Sequence, residues 1–204
     1  MIITHSKGRG KKIHILIDGE YQITTDIDFW AENFYKDGED ISEEEWKNLT
    51  DKINYKKAVD KCYDLLSRRD HSVKELKTKL LRTVDEDNAQ KAIQKMLDYG
   101  YLDDEKYARN LVNYLSKSKN MSYTFIKQEL YKRGISGDIA SYALEDIEVD
   151  NVSSIISLLQ TKYASRLTAE DGKKKVIAAL MRKGFSYSDI RNAFERIEND
   201  EFNE

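Results

Sequence analysis

The chain has 204 residues, 40% hydrophobic, 35% charged and 10% aromatic, and contains no proline. That balance is too apolar and aromatic for a disordered chain, and no apolar run approaches the roughly 20 residues of a membrane span. The net charge of −3, from 34 Lys and Arg against 37 Asp and Glu, is not the basic surplus expected of a dedicated DNA reader.

The first predicted element is a β-hairpin. Lys12–Ile17 is rich in β-branched residues, Asp18-Gly19 is a favoured two-residue type I′ turn, and Glu20–Thr25 returns with Tyr21 and Ile23 on one face. Ahead of it, Ser6–Lys12 lacks the Gly-x4-Gly-Lys-Ser/Thr spacing of a phosphate loop and reads as a flexible basic arm. Asp28–Tyr35 follows as a short helix with Phe29, Trp30 and Phe34 as its apolar stripe, ended by Gly38. Ser42 with Glu45 makes a capping box that starts a second short helix carrying Trp46, Leu49 and Ile53.

From residue 55 the chain repeats with a period of 50. Leu76, Ile126 and Val176 coincide, as do Leu80, Leu130 and Leu180. Gly134 matches Gly184, and Ile135 matches Phe185. Ala140, Ala143, Leu144 and Ile147 match Ile190, Ala193, Phe194 and Ile197, while upstream Ala58 and Leu65 match Ala108 and Leu115. The third unit's first helix fits only after a shift of a few residues. Each unit resolves into three predicted helices: 55–69, 73–82 and 88–99; 105–117, 123–133 and 138–147; 152–165, 173–183 and 187–198. Ser72 with Glu75, and Ser186 with Asp189, provide helix starts, while Gly100, Gly134 and Gly184 stand where a helix needs a left-handed C′ residue. The expected fold is all-α: three tandem three-helix repeats in an elongated curved array, preceded by a small N-terminal β-hairpin and two short helices. The divisions fall at residues 1–54, 55–104, 105–150 and 151–204.

Leu65-Leu-Ser-Arg-Arg-Asp-His-Ser72, then Glu75-Leu76 and Lys79-Leu80, then Gly100-Tyr-Leu-Asp-Asp-Glu-Lys-Tyr-Ala108, resemble RecX, the regulators of the RecA recombinase. The likeness spans the chain, with the third unit matching only in helical pattern. It implies a cytosolic, non-enzymatic protein that binds the RecA–DNA filament and restrains RecA's ATPase and strand exchange. On that reading the partners are the filament and single- or double-stranded DNA, with no membrane contact, and the chain acts as a monomer without a cofactor.

Other residue types that can carry chemistry have simpler structural readings. His5, His14 and His71 share no metal spacing, and His71 reads as a surface or capping-region residue. Asp103-Asp104-Glu105 places negative charge at a helix N-terminus, which accounts for it without a metal. Cys62, the sole cysteine, forbids a disulfide and has the helical spacing of a semi-buried small hydrophobe with no paired base. The start of the chain has no apolar stretch of signal-peptide length. Many of the thirteen tyrosines, among them Tyr99, Tyr101, Tyr107, Tyr114, Tyr123 and Tyr131, fall at helical spacing and read as packing residues rather than stacking platforms.

The live signal is the basic clusters: Arg68, Arg69, Lys74, Lys77, Arg82, Lys117, Lys119, Lys132, Arg133, Lys173, Lys174, Lys175, Arg182 and Lys183. Three of these clusters begin or end equivalent middle helices, so stacked units would line them up as a binding stripe. The alternative function is a helix-turn-helix-like DNA-binding regulator, although the middle helices carry apolar residues at every fourth position, which suits packing. An enzyme finds no nucleophile, acid–base pair or metal set.

Overall fold

The computed structural model describes residues 1–135, 137–145 and 150–201, with side chains to residue 199. Contacts divide the chain into two compact units. Residues 1–69 and 76–101 form one, and residues 70–75 with 102 onwards form the other.

The first unit opens with a four-stranded antiparallel sheet of order β3-β2-β1-β4, made of β1 (Ile2–Lys7), β2 (Lys12–Ile17), β3 (Glu20–Asp26) and β4 (Glu39–Asp40). The predicted hairpin is β2–β3, and its turn residues Asp18 and Gly19 have φ of 50° and 83°, as type I′ requires. The expected basic arm is not flexible. Ser6 and Lys7 pair with His14 and Ile13, and the Gly8 amide donates to the Lys12 carbonyl at 2.8 Å. The polar sequence hid β1 because a strand needs only one apolar face, and here Ile3 supplies it, 1% exposed.

Tyr21 and Ile23 do not share a face. Ile15 pairs with Ile23, but Leu16 pairs with Tyr21, so Gln22 is an extra residue and the alternation reverses across the bulge. Ile23 therefore packs with the core, while Tyr21 joins His14 and Thr24 on the outer face.

The buried sheet face presents Ile3, Ile13, Ile15 and Ile17 to Phe29 and Trp30 of α1 (Ile27–Glu32) and to Leu49 and Ile53 of α2 (Glu43–Leu66). Helix α1 stops at Glu32, so Phe34 lies outside it and is exposed. Ser42 and Glu45 form the predicted capping box. The 24-residue α2 then runs through the second short helix and the first repeat helix without a break. Nothing between residues 43 and 66 would stop it, since neither glycine nor proline occurs there. Its second half buries Ala58, Val59 and Cys62. Helices α3 (Val73–Leu80) and α4 (Glu86–Asp98) complete the first triplet.

In the second unit α5 (Asp104–Asn113) passes into a π-helical turn, Tyr114–Ser118, which buries Leu115. Helices α6 (Tyr123–Lys132) and α7 (Gly137–Glu145) follow. The predicted end of α7 at Ile147 lies outside the described residues. The third triplet is α8 (Asn151–Gln160), a short α9 (Ala164–Leu167) where one longer helix was expected, α10 (Gly172–Arg182) and α11 (Tyr187–Glu201).

The six register positions are all buried: Leu76, Leu80, Ile126, Leu130 and Leu180 at 0% exposure and Val176 at 1%. The body is thus an all-α series of three-helix units carrying an N-terminal β element and extra short helices. Among the described residues no helix is long and apolar enough to cross a membrane.

Candidate functional site

The middle helices and their caps carry many of the predicted basic residues, and the ends of α6 and α10 meet residues from the preceding triplet. Ser72 caps α3: its Oγ accepts from the Glu75 amide (3.1 Å) and donates to the Arg133 carbonyl (2.6 Å) at the end of α6. Arg133 Nη1 donates to Glu75 Oε1 (3.1 Å) and to the Tyr107 hydroxyl (2.7 Å), and Nη2 donates to Glu129 Oε2 (3.3 Å). Burial works against this guanidinium's charge, but Tyr107, Glu75 and Glu129 outweigh it and its pKa is raised. Asp104 accepts from the Val73 amide (2.9 Å), and burial raises its carboxyl pKa.

Fifty residues on, the same meeting recurs with different chemistry. Ser122 caps α6 by accepting from the Phe125 amide (3.1 Å), and its own amide donates to the Lys183 carbonyl (3.4 Å). Gly184 has φ of +85°, and a Cβ there would approach Ser122 Oγ to 2.5 Å, so glycine is required both by the turn and by the contact. The acids are missing, however: Phe125 stands where Glu75 does, and Ala179 where Glu129 does. Lys183 Nζ donates instead to the Lys119 carbonyl (2.5 Å) and approaches Met121 Sδ (3.5 Å). Burial, then Lys162 and Lys119, lower its pKa. The third member of the serine series is Gly172, where a Cβ would run into the Arg166 carbonyl of the chain's own α9 segment.

The predicted cations therefore differ in availability. Arg133 is half-buried and absorbed by the junction, and Lys183 is half-buried and turned toward the 119–121 turn. Lys77 is half-buried and paired with Glu86. Arg68 pairs with Asp64 (2.7 Å), Lys132 with Glu129 (3.3 Å), Lys173 with Glu198 (3.4 Å) and Lys174 with Asp171 (3.8 Å), yet all four remain exposed. Arg69, Lys74, Arg82, Lys117, Lys119, Lys175 and Arg182 are also exposed. Exposed surface pairs of this kind contribute little to stability and can exchange for a ligand's charge. Arg68, Arg69, Lys77 and Arg82 belong to the first unit and the others to the second. Within the second unit Lys183 Nζ meets the Lys119 carbonyl, and the charge of Lys162, a residue the sequence did not single out, helps to lower the Lys183 pKa.

The other candidates resolve into structural roles. Cys62 is fully buried, not semi-buried, and burial pushes its thiol up to about 11. His71 is buried at the entry to α3, not on the surface, and His14 Nδ1 lies 2.7 Å from Thr24 Oγ1. Asp103 caps α5 by accepting from the Lys106 amide (2.8 Å). No group of three His, Cys, Asp or Glu that could hold a metal occurs among the described residues. The tyrosines overturn the packing expectation. Only Tyr107 of the six is buried, whereas Tyr99, Tyr101, Tyr114, Tyr123 and Tyr131 are 41–60% exposed. Tyr101 packs edge-on to both Tyr63 and Tyr99, with centroids 5.8 and 6.2 Å apart, at the surface of the first unit.

Comparison with known proteins places this arrangement. Models of the first, second and third three-helix domains of RecX match residues 58–96, 103–144 and 148–194 in that order. The regulatory protein RecX of Caldanaerobacter subterraneus subsp. tengcongensis is 30% identical over 198 residues, covering 95% of this chain and 98% of its own length. That of Clostridioides difficile strain 630 is 29% identical over 200 residues, covering 97% and 94%. A crystal structure of a regulatory protein RecX superposes with a TM-score of 0.58 over 93% of this chain and 97% of its own, at 21% identity, a likeness of fold.

Proposed function

The chain belongs to the RecX family of regulatory, non-catalytic proteins, and from that premise we propose that it binds the RecA–DNA filament and lowers RecA's ATPase and strand exchange. The observation that carries the reading is the full set of three RecX domains in order, each with its middle helix buried at equivalent positions. Tandem units offer a periodic target repeated contacts, and linked contacts gain far more than any one alone. The chain does this as a monomer in the cytoplasm, with no chemistry of its own. Its exposed cations supply the long-range attraction to the filament, with Lys173–Lys175 at the start of α10 foremost among them.

The test is binding to RecA alone, to DNA alone and to the assembled filament. The intact chain should favour the filament, and Lys173–Lys175 replaced by Glu should bind it more weakly with a flatter salt dependence while folding normally. Equal binding of both chains at low salt would remove these lysines from the interface.

A further inference from the structure

We propose that Leu81, Tyr131 and Met181 form a repeated contact series that docks on the protein subunits of the filament rather than on its DNA. The proposal rests on the filament-binding reading above and assigns that reading a surface. The three residues share one register position, fifty residues apart, each directly after the buried leucine of its middle helix, Leu80, Leu130 and Leu180. They are 43%, 47% and 53% exposed. Among the described residues, no other register position carries an exposed large apolar side chain in all three triplets. Leu81 belongs to the first compact unit and the other two to the second, so the correspondence is one of repeat register.

A single exposed apolar residue needs no explanation. Three at one position do, because the fold has no use for their side chains there. The helix ends use the backbone: the Gly134 and Gly184 amides donate to the Tyr131 and Met181 carbonyls, each at 2.9 Å, and the Leu81 amide donates to the Lys77 carbonyl at 3.0 Å. Any residue supplies those groups. Solubility alone favours Lys or Glu at such a place. Three residues earlier, on the same helix face, Thr78, Gln128 and Ala178 are exposed and uncharged, so each apolar side chain extends a patch free of charge.

The residue types select the occupant. Stacking on a base needs a π face, and Leu81 and Met181 have none. What leucine, tyrosine and methionine share is apolar area, which an apolar hollow on a protein takes up. The residue after each is an exposed cation, Arg82, Lys132 and Arg182, which fits a hollow with an acidic border. Contact with phosphates would use the cations and leave the apolar side chains wet. A second copy of this chain would bring the same cations to the contact and is disfavoured by like charge.

The test uses the full chain, the assembled RecA filament on single-stranded DNA, and the same oligonucleotide without RecA. All three positions are exposed, so Leu81→Gln/Tyr131→Gln/Met181→Gln should fold normally, checked by its melting curve. Covering a half-exposed side chain of this size removes about half its full apolar area from water, so each single replacement should weaken filament binding about fivefold and the triple about a hundredfold. The triple variant keeps every cation, so its oligonucleotide affinity and the salt slope of that binding should match the parent's. Tyr131→Leu keeps the apolar area and should bind the filament as the parent does. Tyr142→Gln alters a tyrosine that is 72% exposed but outside the series, and should leave both affinities unchanged. Should the triple variant melt early, the three single variants carry the same comparison.

Unchanged filament affinity in the triple variant overturns the proposal. So does an equal loss of oligonucleotide affinity, or a Tyr131→Leu chain as weak as Tyr131→Gln, since either outcome puts the series on bases. The filament reading fails separately. A parent chain that does not bind the assembled filament removes that reading and this contact together, whereas a parent and a triple variant that bind it equally remove the contact alone.

Discussion

Ser72 Oγ donates to the Arg133 carbonyl at 2.6 Å while accepting from the Glu75 amide at 3.1 Å, so one hydroxyl both starts α3 and closes the end of α6. Each partner is a backbone group at a helix terminus that the helix itself cannot satisfy. Replacing Ser72 by Ala removes both bonds and leaves the Arg133 carbonyl without this donor in a half-buried place. The expected loss is about 1–3 kcal/mol, measured by chemical denaturation. A loss confined to a few tenths would mean that the junction carries no weight.

The same repeat makes the core prediction direct. Leu130 is fully buried at the centre of the second triplet, packed among Ile126, Ile135 and Ala140. Leu130→Ala should destabilise by about 2–5 kcal/mol, the transfer term plus the cavity it leaves. An exposed neighbour one helical step away, Tyr131→Ala, should change stability much less, because its ring is 47% exposed.

These positions were legible in the sequence because a 3.6-residue period leaves a record in every turn, and three copies of the record confirm one another. Strand β1 was not, since Thr4, His5, Ser6 and Lys7 are polar and its pairing with β2 and β4 is decided by residues far along the chain. The continuity of α2 was masked by a register that places a unit boundary near residue 55, although no helix-breaking residue stands there. The basic set was legible as charge but not as geometry. Arg133 and Lys132 are adjacent in sequence, yet one is enclosed by Glu75, Glu129 and Tyr107 while the other projects into solvent. The tyrosines misled for the reverse reason: helical spacing fits a residue at the rim of a helix as well as one in its core.

Acid should erase one helix cap. Asp85 caps α4, accepting from the amide of Asn88 (2.9 Å) and from its Nδ2 (2.9 Å), and these two bonds hold its carboxyl below the usual carboxylate range. A depressed folded pKa means that the cap's contribution is complete above the unfolded value and is lost as pH falls through the folded one. Asp85→Ala should therefore cost about 1 kcal/mol at pH 7. The difference from the parent should shrink below the ordinary carboxylate range, as followed by denaturation at a series of pH values. A difference that stays constant down to pH 2 would mean that the cap acts by geometry and not by charge.

The regulatory reading carries a stoichiometry that can be counted. RecA subunits in a filament are equivalent, so a binder acts either at the few exposed ends or along the many interior positions. In both cases its effect follows from differential affinity for the states it bridges, since a ligand with equal affinity for both shifts nothing. Halting growth at an end takes few molecules, and inhibition is expected at well below one chain per RecA subunit. The measurement is DNA-dependent ATP hydrolysis by a matched RecA, titrated with the chain at fixed RecA and DNA, with strand exchange followed alongside. A requirement for near-equal amounts would replace end-capping by saturation along the filament. ATPase that is untouched in large excess would remove RecA as the partner and move the helix-turn-helix DNA-binding alternative to the front.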